Sequence, residues 1–292
     1  MSVRVLKSPA TARNSEVQEI EKAAGESNMA WLGRVLAGQV KPKDEDESVL
    51  VLLGGNDPLS FRLRVAQSHV RHDLSPSAWS HVAFVRSLAE PPAQSAIIEV
   101  SLSPKDGFGL FGHPAPNNGI QESILGDYDS SERFPNIAVL ALPVDAAAVA
   151  AKLDELKFQR GALDCPQLIL KWLAYCWGVG VPASPLGEGS GIPAAAILEV
   201  AFAANGFDLT PGLESRSSCP EAIWQAAAWW HDFYKKGAGK KAIRGAYSAK
   251  HDLIPEHSLA ATPPPTATDA AGKPERARTK TERRPSKRGK RG

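Results

Sequence analysis

The chain has 292 residues, 43% hydrophobic and 23% charged, enough to bury a substantial core in one large domain with appendages. Its longest apolar runs, Ile137 to Leu142 and Ala146 to Ala151, fall well short of the ~20 residues that cross a bilayer, so no transmembrane segment is expected. The formal charge of +2 hides an asymmetry: residues 262–292 hold ten Lys and Arg against three acids, a local +7, which leaves −5 on residues 1–261.

Met1 to Pro9 lacks the apolar stretch of a secretory signal, and a cytoplasmic location is expected. Three cysteines, Cys165, Cys176 and Cys219, are too few for a disulfide framework, and no CxxC pair exists to hold zinc. They are read as free thiols, with neither metal nor cofactor expected.

Residues 1–45 form a polar arm around a short amphipathic helix, Ala30 to Leu36, and the charged run Lys41 to Glu47 reads as a linker. Ser48 to Leu53 is an aliphatic strand stopped by Gly54-Gly55-Asn56-Asp57-Pro58. Residues 59–72 are ambiguous between helix and strand. Trp79 to Val85 and Ala96 to Leu102 read as an antiparallel pair joined across Glu90-Pro91-Pro92, and Asn136 to Leu142 as a fourth strand.

Helices follow. Alanine-rich 144–157 has Asp145 near its start and Lys157 at its end, as the helix dipole prefers. Pro166 to Trp177 opens with Asp164 or Cys165 as cap and Pro166 in the first turn, and 193–204 and 220–235 are further apolar helices. The Trp-rich helix with Trp224, Trp229 and Trp230 either covers the core, the better reading, or presents an apolar surface. From about 259 onward the chain is read as a disordered basic tail suited to non-specific contact with nucleic acid or another anionic polymer.

Two segments carry the chemistry. Cys165 begins an apolar helix, where unpaired N–H groups favour a thiolate; the plainer alternative is a buried thiol packing as a small hydrophobe. His81, in Trp79-Ser80-His81-Val82-Ala83-Phe84-Val85, stands at the mouth of a buried strand, where it is either structural or the base for that thiol. Glu99, within Ile97-Ile98-Glu99-Val100, lies on the neighbouring strand and is the candidate third group, although alternation could equally turn it to solvent. His69 and His72, three apart, read as solvated surface. His113, in a Gly/Pro loop, is the substitute for His81, and Tyr128-Asp129 reads as a turn.

The order strand–Gly–Asp, Ser-His-Val with an apolar strand, Ile-Glu on the next, Tyr-Asp, then a cysteine opening an apolar helix resembles the circularly permuted NlpC-type cysteine hydrolases. The resemblance covers roughly residues 48–180. It implies a papain-like α+β fold, an antiparallel sheet packed on helices, and peptidase or amidase activity on peptide, peptidoglycan-type or lipid-amide substrates. Cys165 would be nucleophile, His81 base and Glu99 the orienting residue. The chain departs from the family in having Cys165-Pro166-Gln167 where Cys-Ser-Glu is usual, and in an interrupted Gly55-Asn56-Asp57. The expected organisation is an arm at 1–45, a hydrolase-like domain at 46–212, a helical extension at 213–258 and a tail at 259–292. The rival reading is a catalytically inactive binding module of the same fold.

Overall fold

The computed structural model describes residues 17–38, 40, 47–103, 117–180, 183–235 and 243–250, with the side chains of 228–235 excepted. His113, most of the 41–47 linker, the side chains of Trp229 and Trp230, and the basic tail therefore lie outside the described residues.

The aliphatic run predicted as a strand forms β2 (Ser48–Gly54), buried along its whole length. Strands with both faces covered read as continuous apolar runs rather than alternating ones. Here β2 lies between β3 (His81–Ser87) and β6 (Asn136–Leu142), antiparallel to both. Beyond β3 come β4 (Ala96–Glu99) and β5 (Gln121–Ile124). Beyond β6 come β7 (Arg244–Ser248) and β1 (Val17–Glu19), giving the order β1-β7-β6-β2-β3-β4-β5, in which the β1–β7 pair is parallel.

The period-2 alternation of strand side chains divides the core in two. Leu50, Leu52, Val82, Phe84, Ile98, Val100 and Leu140 face one cluster, filled from α3 (Ala146–Leu156), α4 (Cys165–Trp177), α5 (Pro193–Ala203) and α6 (Pro220–Lys235). Val49, Val51, Leu53, Ala83, Val85, Ile97 and Val139 face the other, closed by Trp31, Leu32 and Val35 of α1 (Asn28–Ala37). The molecule is a mixed α/β structure with helices on both sides of a seven-stranded sheet.

The helix starts follow their caps. Ser27 accepts from Ala30 N, Asp145 from Ala147 N and Ala148 N, and Asp164 from Gln167 N, each supplying one of the acceptors that a first helical turn lacks. The ambiguous segment resolves the same way: Asp57 caps α2 (Pro58–Ala66) through Leu59 N and Ser60 N, with Pro58 in the first turn, and a 3-10 turn follows at Ser68–Val70. At Gly54 a Cβ would stand 1.9 Å from Ala78 O, so the approach of the 77–80 segment to β2 requires glycine.

The described residues on both sides of the expected boundaries at 45/46 and 212/213 belong to one compact unit. The supposed arm contributes α1 and β1, and the supposed extension contributes β7, which pairs with both β6 and β1. Val17–Glu19 and Arg244–Ser248 are short and half-polar, too weakly patterned to read as strands in isolation. The strand expected to reach Leu102 leaves the ladder after Glu99. Pro185–Ala203 is long and apolar enough to span a membrane by composition, but most of it is buried inside the domain. Trp224 of α6 packs at 5.0 Å from the ring of Trp79 and 5.0 Å from that of Tyr247.

Candidate functional site

β3 begins at His81 and β4 ends at Glu99, one strand apart at the same end of the sheet. Both alternate with residues of the α3–α6 core, so both side chains project from the α1 face. His81 Nε2 and Glu99 Oε2 lie 2.7 Å apart. The Tyr128 hydroxyl donates to the same oxygen at 2.6 Å, and Gln121 Nε2 donates to Glu99 Oε1 at 2.9 Å. The Tyr128 ring stacks on the imidazole, with centroids 5.7 Å apart.

Burial pushes the Glu99 carboxyl up, but the hydrogen bond and charge of His81, with Tyr128 and Ser123, outweigh it and hold the group down at about 2. Tyr128 is driven upward by burial and by the adjacent carboxylate, so it stays a hydroxyl donor. The imidazole keeps 16% of its side-chain surface in contact with solvent, whereas Glu99 keeps 1%. The arrangement is a fixed carboxylate orienting a partly open histidine.

Cys165 is elsewhere. It starts α4, with its backbone N–H donating to Asn118 Oδ1 at 3.1 Å, and its side chain is fully buried in the cluster containing Val82, Phe84 and Val100. That cluster lies on the opposite face of the sheet from His81 and Glu99, so the pairing of Cys165 with His81 expected from the sequence is not formed. Burial, with a smaller contribution from Asp164, pushes the Cys165 thiol up to about 12; this outweighs the depression that a helix N-terminus alone would produce. Cys176 and Cys219 belong to the same cluster, and burial pushes them up to about 11 and 12. None of the chain's three thiols shares the face of the imidazole.

The helix whose N-terminus reaches the cluster is α1. Asn28, its first residue, is fully buried and donates from Nδ2 to Tyr128 O at 2.8 Å and to Phe134 O at 3.0 Å, while its Oδ1 accepts from Ser131 Oγ. Met29 N donates to Asp129 Oδ1. The Asn28 side chain is an amide with its bonds already made. Tyr128 and Asp129, read from the sequence as a turn, therefore join the site to α1, and only their separation from Glu99 along the chain hid this.

His69 and His72 are exposed, and among the described residues no group of three or more His, Cys, Asp or Glu is placed to hold a metal. A second helix opens on cysteine: Cys219-Pro220-Glu221 begins α6 and carries glutamate at the third place of the Cys-Ser-Glu pattern, a match closer than that at Cys165. Glu221 is fully buried and committed, accepting from Ser77 Oγ at 2.6 Å, Arg71 Nη1 at 3.2 Å and Gln225 Nε2 at 2.7 Å. Comparison with protein-family models, curated proteins and solved structures finds no match to this chain.

Proposed function

We propose that the chain is a non-catalytic binding module, with a papain-like arrangement of sheet and helices that lacks the chemistry of a cysteine hydrolase, and that its basic C-terminal segment contacts an anionic polymer. The observation that carries this reading is the placement of all three thiols in the core beneath α3–α6, while His81 and Glu99 lie on the α1 face. A thiolate nucleophile needs its base within hydrogen-bond reach, about 2.6–3.2 Å, or somewhat more before substrate binds. An intervening sheet does not allow that.

The hydrolase reading keeps one supporting observation, the His81–Glu99 contact, which has the geometry of a base and its orienting carboxylate. For that pair to serve a cysteine nucleophile, one of the three cysteines would have to cross the sheet.

The +7 of residues 262–292 attracts polyanions without sequence preference, and the segment has no aromatic residue to stack on bases. The test is binding of full-length chain and a 1–258 truncation to a fluorescent DNA duplex and to heparin over a salt series. The reading predicts affinity that falls steeply between 50 and 200 mM salt, on the order of tenfold or more, and that the truncation abolishes. Hydrolysis of a peptide or amide substrate that disappears on replacing any one cysteine by serine would sink it.

A further inference from the structure

Helix α4 buries one side in the core, and its outer side is apolar as well. Leu170 and Trp177, 59% and 68% exposed, stand seven residues apart and so share one stripe about 10 Å long, with the half-buried Ala174 between them. The helix ends on Gly178 at φ of +68°, with Gly178 N donating to Tyr175 O at 3.1 Å and Val179 N to Ala174 O at 2.9 Å. That turn brings Val179, 61% exposed, back beside the stripe. A contiguous exposed apolar patch marks a place where a folded chain meets another apolar phase. We propose that this face of α4 docks on an anionic lipid bilayer, with Leu170, Trp177 and Val179 entering the boundary between headgroups and acyl chains.

Charge selects the occupant. From Cys165 to Gly187 the sequence holds no Asp or Glu, and its one charged residue, Lys171, is paired with Glu188 at 2.8 Å. Arg62 of α2 reaches the end of the stripe, its Nη1 donating to Tyr175 O at 3.2 Å and standing 3.7 Å from where a Cβ on Gly178 would be. Among the described residues it has no carboxylate partner, so its guanidinium is available to a lipid phosphate. Five acids, Glu19, Glu21, Glu26, Asp129 and Glu132, line a cleft beside α1, across the sheet from α4. The carboxylates that an anionic surface repels most are turned away from it.

A patch of three apolar side chains gives only reversible adhesion, and stable attachment takes a second signal. The ten Lys and Arg of residues 262–292 supply it, and to that extent the inference rests on the reading of the basic segment given above. What α4 adds is a preference that charge alone lacks, for a surface with an apolar interior over heparin or DNA. Trp177 suits the interfacial depth, since its ring is apolar and its indole N–H polar.

The experiment is co-sedimentation of the full chain with vesicles of phosphatidylcholine alone and of phosphatidylcholine mixed with phosphatidylserine. Wild type is compared with Leu170→Gln/Trp177→Gln and with Val179→Gln, which leaves the helix itself untouched, and heparin affinity and the thermal melt of each are measured in parallel. Wild type is expected to bind the anionic vesicles and not the neutral ones. The double variant should lose about tenfold or more of that binding, and Val179→Gln several-fold, with heparin affinity and Tm unchanged. Vesicle binding by the double variant equal to that of wild type would overturn the inference and leave the basic-segment reading standing. Wild type that binds heparin but no vesicle would do the same, including one whose α4 face instead holds a dimer that the double variant dissolves. Wild type that binds neither would overturn both.

Discussion

Glu99 and Glu199 are buried carboxyls with opposite fates, and their difference sets the pH dependence of the fold. Glu99 faces a histidine and two further donors and is held at about 2 in the native state against 4.5 when free. A depressed carboxyl stabilises the fold above its unfolded pKa, and that contribution is lost as the pH falls from 4.5 through 2. At 1.36 kcal/mol per unit the contribution is about 3 kcal/mol, an order of magnitude only. Glu99→Gln should therefore lower stability at pH 7 by a few kcal/mol and flatten the acid limb of a urea-midpoint-versus-pH curve; an unchanged acid limb would show that Glu99 is not ionised in the fold.

Glu199, nearly inaccessible within α5, accepts from Thr210 Oγ1 at 2.9 Å and Leu209 N at 3.2 Å, but burial, and with it a hydrogen bond and the charge of Asp208, raises it to about 7. Here the sign reverses. The native state holds a proton that the unfolded chain has released, so the contribution is complete below 4.5 and is lost as the pH rises through 7. Glu199→Gln should remove that alkaline loss between pH 5 and 8 while leaving the acid limb intact, as thermal melts across the range would show.

Among the elements, the join between α3 and α4 depends on a single side chain. Asn118 sits with φ of +54°, donates from Nδ2 to Leu156 O at 3.0 Å and Leu163 O at 2.9 Å, and accepts from Cys165 N. Asn118→Ala leaves the Leu163 carbonyl and the Cys165 N–H without this partner, while Leu156 O keeps Gln159 N, which should cost roughly 1–3 kcal/mol by denaturant titration, with α4 the first helix to lose hydrogen-exchange protection.

Much of this scale was legible in the sequence. Asp145 and Asp164 mark helix starts because capping is local chemistry, whereas Asp57-Pro58 reads only as the end of a strand and leaves α2 ambiguous; the β3–β4 pairing makes Glu99 a neighbour of His81 but leaves its face open. What period 2 does not say is on which face a later helix docks. The path from β6 through α3 carries α4 to the side opposite His81, and nothing within Asp164-Cys165-Pro166 records that. β5 (Gln121–Ile124) escaped for another reason: its only buried residue is the polar Ser123, so no apolar run announces it.

Over the whole molecule, two short strands far apart in sequence, β1 and β7, complete the sheet. β7 inserts between β6 and β1, and Arg244 forms a buried ion pair with Glu47 just before β2. Tyr247 brings β7 against α6 through Trp224. Removing residues 1–27 exposes one edge of β7 and withdraws Val17 from the core, so a loss of several degrees in Tm is expected. An unchanged Tm would mean that the sheet is complete without β1.

The central claim is that the imidazole of His81 and the thiols lie on opposite sides of the sheet, and it is tested most directly by iodoacetamide alkylation of the native chain from pH 6 to 9. Each cysteine would be read separately by peptide mapping, in wild type and in His81→Ala. The account predicts three thiols that stay unmodified until the protein is unfolded, with no change on removing His81. A cysteine that alkylates rapidly below pH 8 in wild type and slowly in His81→Ala would contradict it.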